Sequence, residues 1–163
     1  MTEQALFQSG MDLDHPSTAR TEAFISVTDG AAAPYSPGEA KDHFVVKNGV
    51  SCAGTHLIID LIGAAGLDDI SRIERALRDC VDEAGATLLH IHLHHFTPNA
   101  GVSGVAVLAE SHISIHTWPE RNYAALDVFM CGDAKPEKCK GVLKKAFSPR
   151  KMRVRELLRG KGI

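Results

Sequence analysis

Residues 102–131 read VSGVAVLAESHISIHTWPERNYAALDVFMC, and this stretch decides the fold class. Apolar residues alternate with polar or small ones in three successive segments, which is the periodicity of half-buried β-strands. The three strands are predicted at 102–109, 111–117 and 123–131. Because the turns between them are short, neighbouring strands are expected to pair antiparallel.

The sequence on either side of this stretch adds further strands and two helices. In chain order, it predicts a strand at 55–63, a helix from the cap at Asp68 and Asp69 to Gly85, a strand at 87–96, a helix at 133–147 and a short strand or turn at 152–157. This order favours an α/β fold of the α+β type, a two-layer sandwich of a mostly antiparallel sheet with helices on one face. The other sheet face has to be covered, and a second copy of the chain is the expected cover.

The composition indicates a single domain that works in the cytoplasm. The chain has 163 residues, 44% of them hydrophobic, and a net charge of −2. It has no apolar run of the ~20 residues that a membrane span needs, and its N-terminus lacks a signal-peptide pattern. Four cysteines without a CxxC spacing are too few for a disulfide framework. We therefore expect neither a membrane nor a disulfide-forming compartment.

The two ends of the chain differ from its middle. Residues 1–48 are rich in turn formers without a sustained apolar period, so they are predicted to be a flexible leader before one domain at 49–163. Residues 134–163 hold 11 basic and 2 acidic side chains. Such a tail can bind nucleic acid, but it offers only Phe147 for stacking on bases. Docking on an acidic protein surface is the favoured interpretation, and no nucleic-acid partner is expected.

Some polar residues outside the central motif indicate chemistry only weakly. His90, His92 and His94 fall on one face of a predicted strand, a geometry that metal sites use. No acidic or sulfur ligand is close in sequence, so no metal ion is expected there. Ser103, in the string GVSG at 101–104, lacks the G-x-S-x-G spacing of a nucleophile elbow.

The string ESHISIHTWPE at 110–120 is the most specific candidate site. It places polar side chains inside a strand pair whose apolar pattern predicts none. Ser111 could attack a substrate with His116 as the base. Alternatively, Ser111 could attack the carbonyl of the preceding Glu110, if the peptide bond between them is held in a strained conformation. The residues alone leave both chemistries open.

The longer run GVSGVAVLAESHISIHTWPERNYAALDVFMCGD at 101–133 resembles the prokaryotic S-adenosylmethionine decarboxylase proenzymes, the pyruvoyl enzymes of spermidine synthesis. The similarity extends more weakly from His56 to Leu158, about two-thirds of the chain. The resemblance implies an enzyme that decarboxylates S-adenosylmethionine, a small-molecule substrate. It also implies a homo-oligomer of cleaved protomers, (αβ)2, in which the sheets pack across a dimer.

The resemblance further implies that the chain cuts itself. Ser111 would attack the Glu110 carbonyl in an N-to-O acyl shift, and β-elimination from the resulting ester would split the chain between these residues. The products would be a β chain of residues 1–110 and an α chain of residues 111–163. The α chain would begin with a pyruvoyl group derived from Ser111, which forms a Schiff base with the substrate and accepts electrons as pyridoxal phosphate does elsewhere.

The same resemblance implies roles for four more side chains. His116 matches the base that accepts a proton during self-cleavage, and Ser103 matches a serine that assists it. Cys131 matches the catalytic proton donor, and a thiol suits this task because it still carries its proton at neutral pH. Phe96 is expected to face the substrate, where a cation–π contact with a sulfonium contributes ~0.5–2 kcal/mol.

Other functions remain open from the sequence. The same pyruvoyl chemistry would decarboxylate arginine or ornithine, since it requires only an α-amino acid. A homologue that is neither cleaved nor catalytic would keep the fold without the activity, although the motif residues are all present. A hydrolase that uses Ser111 and His116 is disfavoured because no acid is recognisably placed to orient the histidine.

Overall fold

A computed structural model of the chain describes residues 43–97 and 101–163. The elements in chain order are β1 (Val45–Lys47), β2 (Val50–Cys52), β3 (Gly54–Ile62), α1 (Ile70–Ala84), β4 (Leu88–His95), β5 (Val102–Leu108), β6 (Ser111–Trp118), β7 (Tyr123–Met130), α2 (Cys139–Phe147) and β8 (Lys151–Arg159). β1 and β2 form a hairpin of their own. The other six strands form one sheet in the order β4-β5-β6-β7-β3-β8, and every neighbouring pair is antiparallel. The predicted α+β fold is confirmed.

One face of the sheet and both helices enclose the hydrophobic core. Alternate residues of the central strands are buried on this face, as the period of two requires. The largest buried side chains come from both layers, namely Leu57, Ile59, Leu61, Ile73, Leu77, Ile113, Ile115, Leu126 and Phe147. The opposite, open face carries the intervening residues, which are only partly buried. The helices therefore lie on one face, as the sequence predicts.

The helix α1 begins and ends where its capping residues predict. The Asp69 carboxylate accepts a hydrogen bond from the Arg72 amide at 2.9 Å, which satisfies one of the free donors of the first turn. Gly85 follows the helix at φ 72°, a left-handed conformation that glycine adopts without a side-chain clash. The apolar residues from Ile73 to Ala84 face the core, whereas Ile70 in the first turn is exposed.

The helix α2 starts later than the sequence predicts. The expected range of 133–147 is wrong at its beginning, because the regular helix spans only Cys139–Phe147. Pro136 instead begins a short 3-10 turn at Pro136–Lys138, and the preceding Lys135 has a non-helical backbone, since a residue before proline is disfavoured in the helical region. The Lys135 amide donates to the Ala84 carbonyl at 2.9 Å, which ties this loop to α1.

The hairpin of β1 and β2 crosses the boundary expected between leader and domain at residue 48. Asn48 and Gly49 form its turn, with φ values of 51° and 77°. Both central residues of a type I′ turn have positive φ, and Asn-Gly is the dipeptide that favours it. Residues 45–47 therefore belong to this hairpin, while the boundary at residue 48 stays a prediction. Residues 1–42 of the leader lie outside the described residues.

The C-terminal strand is longer than the predicted segment at 152–157. β8 spans nine residues because it pairs along the whole of β3 at the edge of the sheet. Across the described ranges, none of the helices has the length and apolar character needed to cross a membrane.

Candidate functional site

The turn between β5 and β6 holds Glu110 in a strained backbone conformation. Leu108 pairs with Ser111 across this turn, and Glu110 has a φ of 56°. A left-handed backbone costs a residue other than glycine roughly 1–2 kcal/mol, so it persists only where the surroundings hold it. The strained residue directly precedes the Glu110–Ser111 peptide bond.

Ser111 and Cys131 meet beside this peptide bond. The Ser111 side chain is largely buried at the start of β6, and its Oγ accepts a hydrogen bond from the Cys131 amide at 3.3 Å. The Cys131 thiol, just after the end of β7, lies 3.5 Å from the Ser111 Oγ and donates to the Glu110 carbonyl oxygen at 3.3 Å. The structure thus brings together Ser111 and Cys131, two of the residues to which the resemblance gives a role.

These contacts suit an attack on the Glu110 carbonyl. The thiol donates to the oxygen that would gain negative charge as a nucleophile adds to the carbonyl carbon, and stabilising developing charge is a strong catalytic effect. The hydroxyl belongs to the next residue, so the nucleophile is held next to its target without diffusion. The arrangement favours an acyl shift within the chain.

A cavity of about 630 Å³ opens at this end of the sheet. Its lining residues are Ala53, Leu108, Glu110, Ser111, His112, Phe129, Arg159 and Gly160. The His112 and Phe129 rings lie 5.9 Å apart, and His56 packs edge-on against Phe129 at 6.0 Å. A small ligand would contact aromatic rings on one side and the Ser111 region on the other.

Ser103 and His116 form a second pair on the open face. They are cross-strand partners on β5 and β6, and the Ser103 Oγ lies 2.8 Å from the His116 Nδ1. A smaller cavity of about 420 Å³ surrounds the pair. It is lined by Phe96, Thr97, Gly101, Ser103, His116, Thr117, Trp118 and Glu120. Phe96 therefore lies near His116 rather than near Ser111.

The two pairs lie far apart within one protomer. Ser111 and His116 are five residues apart on the same strand, a rise of roughly 16 Å at ~3.3 Å per residue. An odd spacing also directs the two side chains to opposite faces of the sheet. Accordingly, Ser111 is buried towards the core and His116 is exposed. His116 does not reach the Glu110–Ser111 bond of its own chain.

A polar network covers the middle of the open face. The Asp127 carboxylate accepts from Ser114 at 3.1 Å and lies 3.3 Å from the His56 Nε2. Next to it, the Tyr123 hydroxyl donates to the Asp60 carboxylate at 2.6 Å. This hydrogen bond, together with burial and the negative charge of Asp60, raises the pKa of Tyr123. Carboxylates in this network are paired rather than free.

The histidines of β4 lie side by side as the alternation predicts. His90, His92 and His94 are exposed on the open face, and His94 packs edge-on against Phe96 at 4.6 Å between ring centroids. Within 43–97 and 101–163, no three histidine, cysteine or acidic side chains are grouped closely enough to hold a metal ion.

Several residues at the two cavities were not singled out from the sequence. His43 reaches the Glu110 carboxylate at 3.2 Å, and Phe129 and Arg159 line the larger cavity. Trp118 and Glu120 line the smaller one. Trp118 and Glu120 belong to the motif string, and Glu120 is a candidate from the sequence for contacts with polar groups of the substrate. His43 and Arg159 are distant in sequence and carry no local signal.

Comparisons with known proteins agree on one family. Residues 55–160 match the family model described as S-adenosylmethionine decarboxylase. An S-adenosylmethionine decarboxylase proenzyme of Thermomicrobium roseum is 45% identical over 108 residues, which cover 66% of this chain and 93% of that protein. The proenzyme of Methanococcus maripaludis is 49% identical over 110 residues, covering 66% and 89%.

A solved structure is also similar. The crystal structure of the adenosylmethionine decarboxylase from Aquifex aeolicus superposes with a TM-score of 0.61 at 33% sequence identity. The aligned region covers 67% of this chain and 92% of the other. Its extent agrees with that of the family model, which leaves out the first 54 residues.

Proposed function

The chain belongs to the S-adenosylmethionine decarboxylase family, and we propose that it becomes active by cutting itself between Glu110 and Ser111. As a member of this family, it is an enzyme that decarboxylates S-adenosylmethionine. The product, decarboxylated S-adenosylmethionine, serves as the aminopropyl donor for spermidine synthesis. The names of the relatives favour this substrate over arginine or ornithine, and the free thiols suit a cytoplasmic enzyme.

One observation carries the proposal of self-cleavage. The Ser111 hydroxyl is held by the Cys131 amide next to a carbonyl that is activated by the Cys131 thiol. Attack of the Ser111 hydroxyl on the Glu110 carbonyl forms the ester and frees the Ser111 amine. Loss of the Ser111 α-proton then breaks the ester bond and expels the main-chain carboxylate of Glu110. The dehydroalanine left at the new N-terminus takes up water and releases ammonia. The strained backbone at Glu110 supports the first step, because it raises the energy of the intact turn.

The surroundings of Ser111 also fit the pyruvoyl group that this cut would leave. That group supplies a carbonyl that condenses with an α-amine and accepts the electron pair released when carbon dioxide departs. The Cys131 thiol, 3.5 Å from the Ser111 Oγ, is close enough to deliver a proton to the substrate carbon afterwards. The rings of Phe129 and His112 form an aromatic wall of the cavity and would limit the access of water during this step.

His116 and Ser103 enter the reaction from a second copy of the chain. The resemblance gives them a role in self-cleavage, yet within one protomer they lie at the other end of β6. A twofold dimer that covers the open faces of both sheets would bring this pair of one copy to the Ser111 of its partner. The assembly we propose is therefore (αβ)2, with two composite sites. Phe96, beside His116, would contact the substrate in the partner's site.

Intact-mass measurement tests the proposal directly. The purified protein should consist of one chain of 110 residues and one of 53 residues that lacks an N-terminal amine. Ser111→Ala should give one uncut, folded chain, because neither residue of this bond then carries a hydroxyl. Ser114→Ala is the matched control, since Ser114 lies on the same strand but bonds to Asp127 instead. Persistence of the intact wild-type chain after long incubation contradicts the proposal.

A further inference from the structure

His43 lies beside the bond that is to be cut, although it precedes the region that matches the family. The family model begins at residue 55, so the match leaves this histidine without a role. Its Nδ1 lies 3.2 Å from the Glu110 Oε2, and both side chains are about half exposed. The residue is therefore near the reaction without being part of the core.

The backbone of His43 is fixed to the other side of the site. Its carbonyl accepts a hydrogen bond from the Gly132 amide at 3.0 Å, directly after Cys131. Gly132 has a φ of 57°, and a Cβ at this position would approach the His43 Nδ1 at 3.3 Å. The lack of a side chain at Gly132 leaves the imidazole room to reach Glu110. His43 thus spans the two turns that carry Glu110 and Cys131.

The Cys131 thiol has two acceptors on Glu110, and only one of them promotes the cut. The thiol lies 3.3 Å from the peptide oxygen and 3.8 Å from the carboxylate Oε2. The same Oε2 is the atom that His43 contacts. An imidazole N–H that satisfies the carboxylate leaves the thiol to donate to the peptide carbonyl.

We propose that His43 is a positioning residue for self-cleavage, an inference that rests on the function proposed above. Its Nδ1–H donates to the Glu110 carboxylate, and this holds Glu110 in the left-handed conformation. The carboxylate is thereby kept from competing for the Cys131 thiol. His43 touches neither the Ser111 hydroxyl nor the scissile carbonyl, so it acts through Glu110.

The rate of cleavage in the full-length chain tests this role. The protein is made by cell-free translation, synthesis is stopped, and the appearance of the 53-residue chain is followed by mass spectrometry. We expect His43→Ala to slow cleavage about tenfold, as loss of a hydrogen bond to a charged group would. An asparagine amide N–H can take the place of Nδ1–H, so His43→Asn should recover most of the rate and His43→Gln should not. Added imidazole should accelerate His43→Ala.

Two controls separate positioning from general stability. Lys47→Ala removes the 2.7 Å ion pair with Glu156, which also ties this N-terminal region to the sheet but lies away from Glu110. Its cleavage rate should stay within about twofold of wild type, because surface ion pairs contribute little. If His43→Ala does not fold, as judged by circular dichroism, the cleavage rates of His43→Asn and His43→Gln decide whether His43 has the positioning role.

The route through Glu110 has its own test. In a Glu110→Ala background, His43→Ala should cause no further slowing, because its partner is gone. An undiminished effect in that background, or equal rates for wild type and His43→Ala, overturns the proposal. Cleavage of His43→Asn that is as slow as cleavage of His43→Gln also overturns the proposal. Failure of the wild-type chain to cleave overturns the proposed function instead.

Discussion

The cysteines differ in environment in a way that selects one of them for chemistry. Cys52, Cys80 and Cys139 are fully buried, and the last two direct their thiols at each other's backbone carbonyls. The hydrogen bond between this pair, together with burial, holds the pKa of the Cys80 thiol far above its ordinary value. Cys131 alone is partly exposed and contacts the Glu110 carbonyl. Among the four thiols, only this one can serve as an acid for a bound substrate.

Substitution of Cys131 should therefore separate self-cleavage from turnover. We expect Cys131→Ala to be cleaved more slowly than wild type, because the thiol no longer donates to the Glu110 carbonyl, but still to completion, because the backbone amide that holds the Ser111 hydroxyl remains. Decarboxylation should fall by roughly 10²- to 10⁴-fold, the usual effect of losing a general acid. The measurement is release of labelled carbon dioxide per pyruvoyl group. Cys139→Ala serves as a control that loses a thiol only from the core, and equal turnover in the two variants contradicts the assigned role.

His116 shows how much of the candidate site could be predicted from the sequence. Ser111, His116 and Cys131 are all present in the motif, and the first and last do meet. The distance between Ser111 and His116 follows from strand geometry alone, since an odd spacing separates faces. A resemblance attaches roles to residues but does not say which copy of the chain supplies each one. The contact of His43 with Glu110 depends on how a distant segment packs, and the sequence holds no signal for it.

At the scale of elements, β5 must lie unusually close to β4. A Cβ on Gly104 would meet the His92 backbone oxygen and the Leu93 side chain. The two strands form the edge of the sheet that leads to Phe96 in the smaller cavity. Gly104 therefore allows the backbones of β4 and β5 to approach each other closely at this position.

Gly104→Ala should accordingly destabilise the fold by about 1–3 kcal/mol, the usual cost of overpacking. Chemical denaturation followed by circular dichroism measures the change. Gly141→Ala is the matched control, because a Cβ there meets nothing within 4 Å and lies within α2. The control should be neutral or stabilising by up to ~1 kcal/mol. A neutral result at Gly104 would mean that the edge strand moves aside at little cost.

Element boundaries that depend on nearby residues could be predicted from the sequence. Boundaries that depend on contacts with residues far away in sequence could not. Asp69 and Gly85 define both ends of α1 in sequence and in structure. The start of α2 at Cys139 differs from the predicted start at 133, because the Lys135 amide is bonded to the Ala84 carbonyl, far away in sequence. The hairpin at Asn48 carried a local signal that was overlooked. The length of β8 depends on pairing with β3, which residues far away in sequence supply.

At the scale of the whole molecule, two polar pairs lie at opposite ends of β6, and in the assembly proposed above each pair would be one half of a site. One contains Ser111 and Cys131, and the other contains Ser103 and His116. A site made from both halves needs two copies, so activity is expected to depend on the dimer. The polar network on the open face, with its paired carboxylates, would then lie between the sheets.

Mixing two inactive variants tests this arrangement. Ser111→Ala and His116→Ala should each remain uncut alone, yet co-expressed chains should yield cut His116→Ala chains. A mixed dimer then has one site with both residues intact and one with neither. With random pairing, activity should reach about a quarter of the wild-type value, since half the dimers have one working site. If both residues acted within one chain, no mixture would be cut.

The strand order determines how the two fragments of the proposed cut would be held together. The break between β5 and β6 assigns β3 to the first fragment and both of its neighbours, β7 and β8, to the second. β3 of the first fragment thus lies between two strands of the second, and neither fragment can dissociate without breaking the hydrogen bonds of the sheet. Refolding of the uncut chain is unimolecular. Refolding of the cut form would require two separate chains to associate first. The proposed cut would therefore make thermal inactivation effectively irreversible at low concentration, so that a kinetic barrier rather than an equilibrium would govern the enzyme's lifetime.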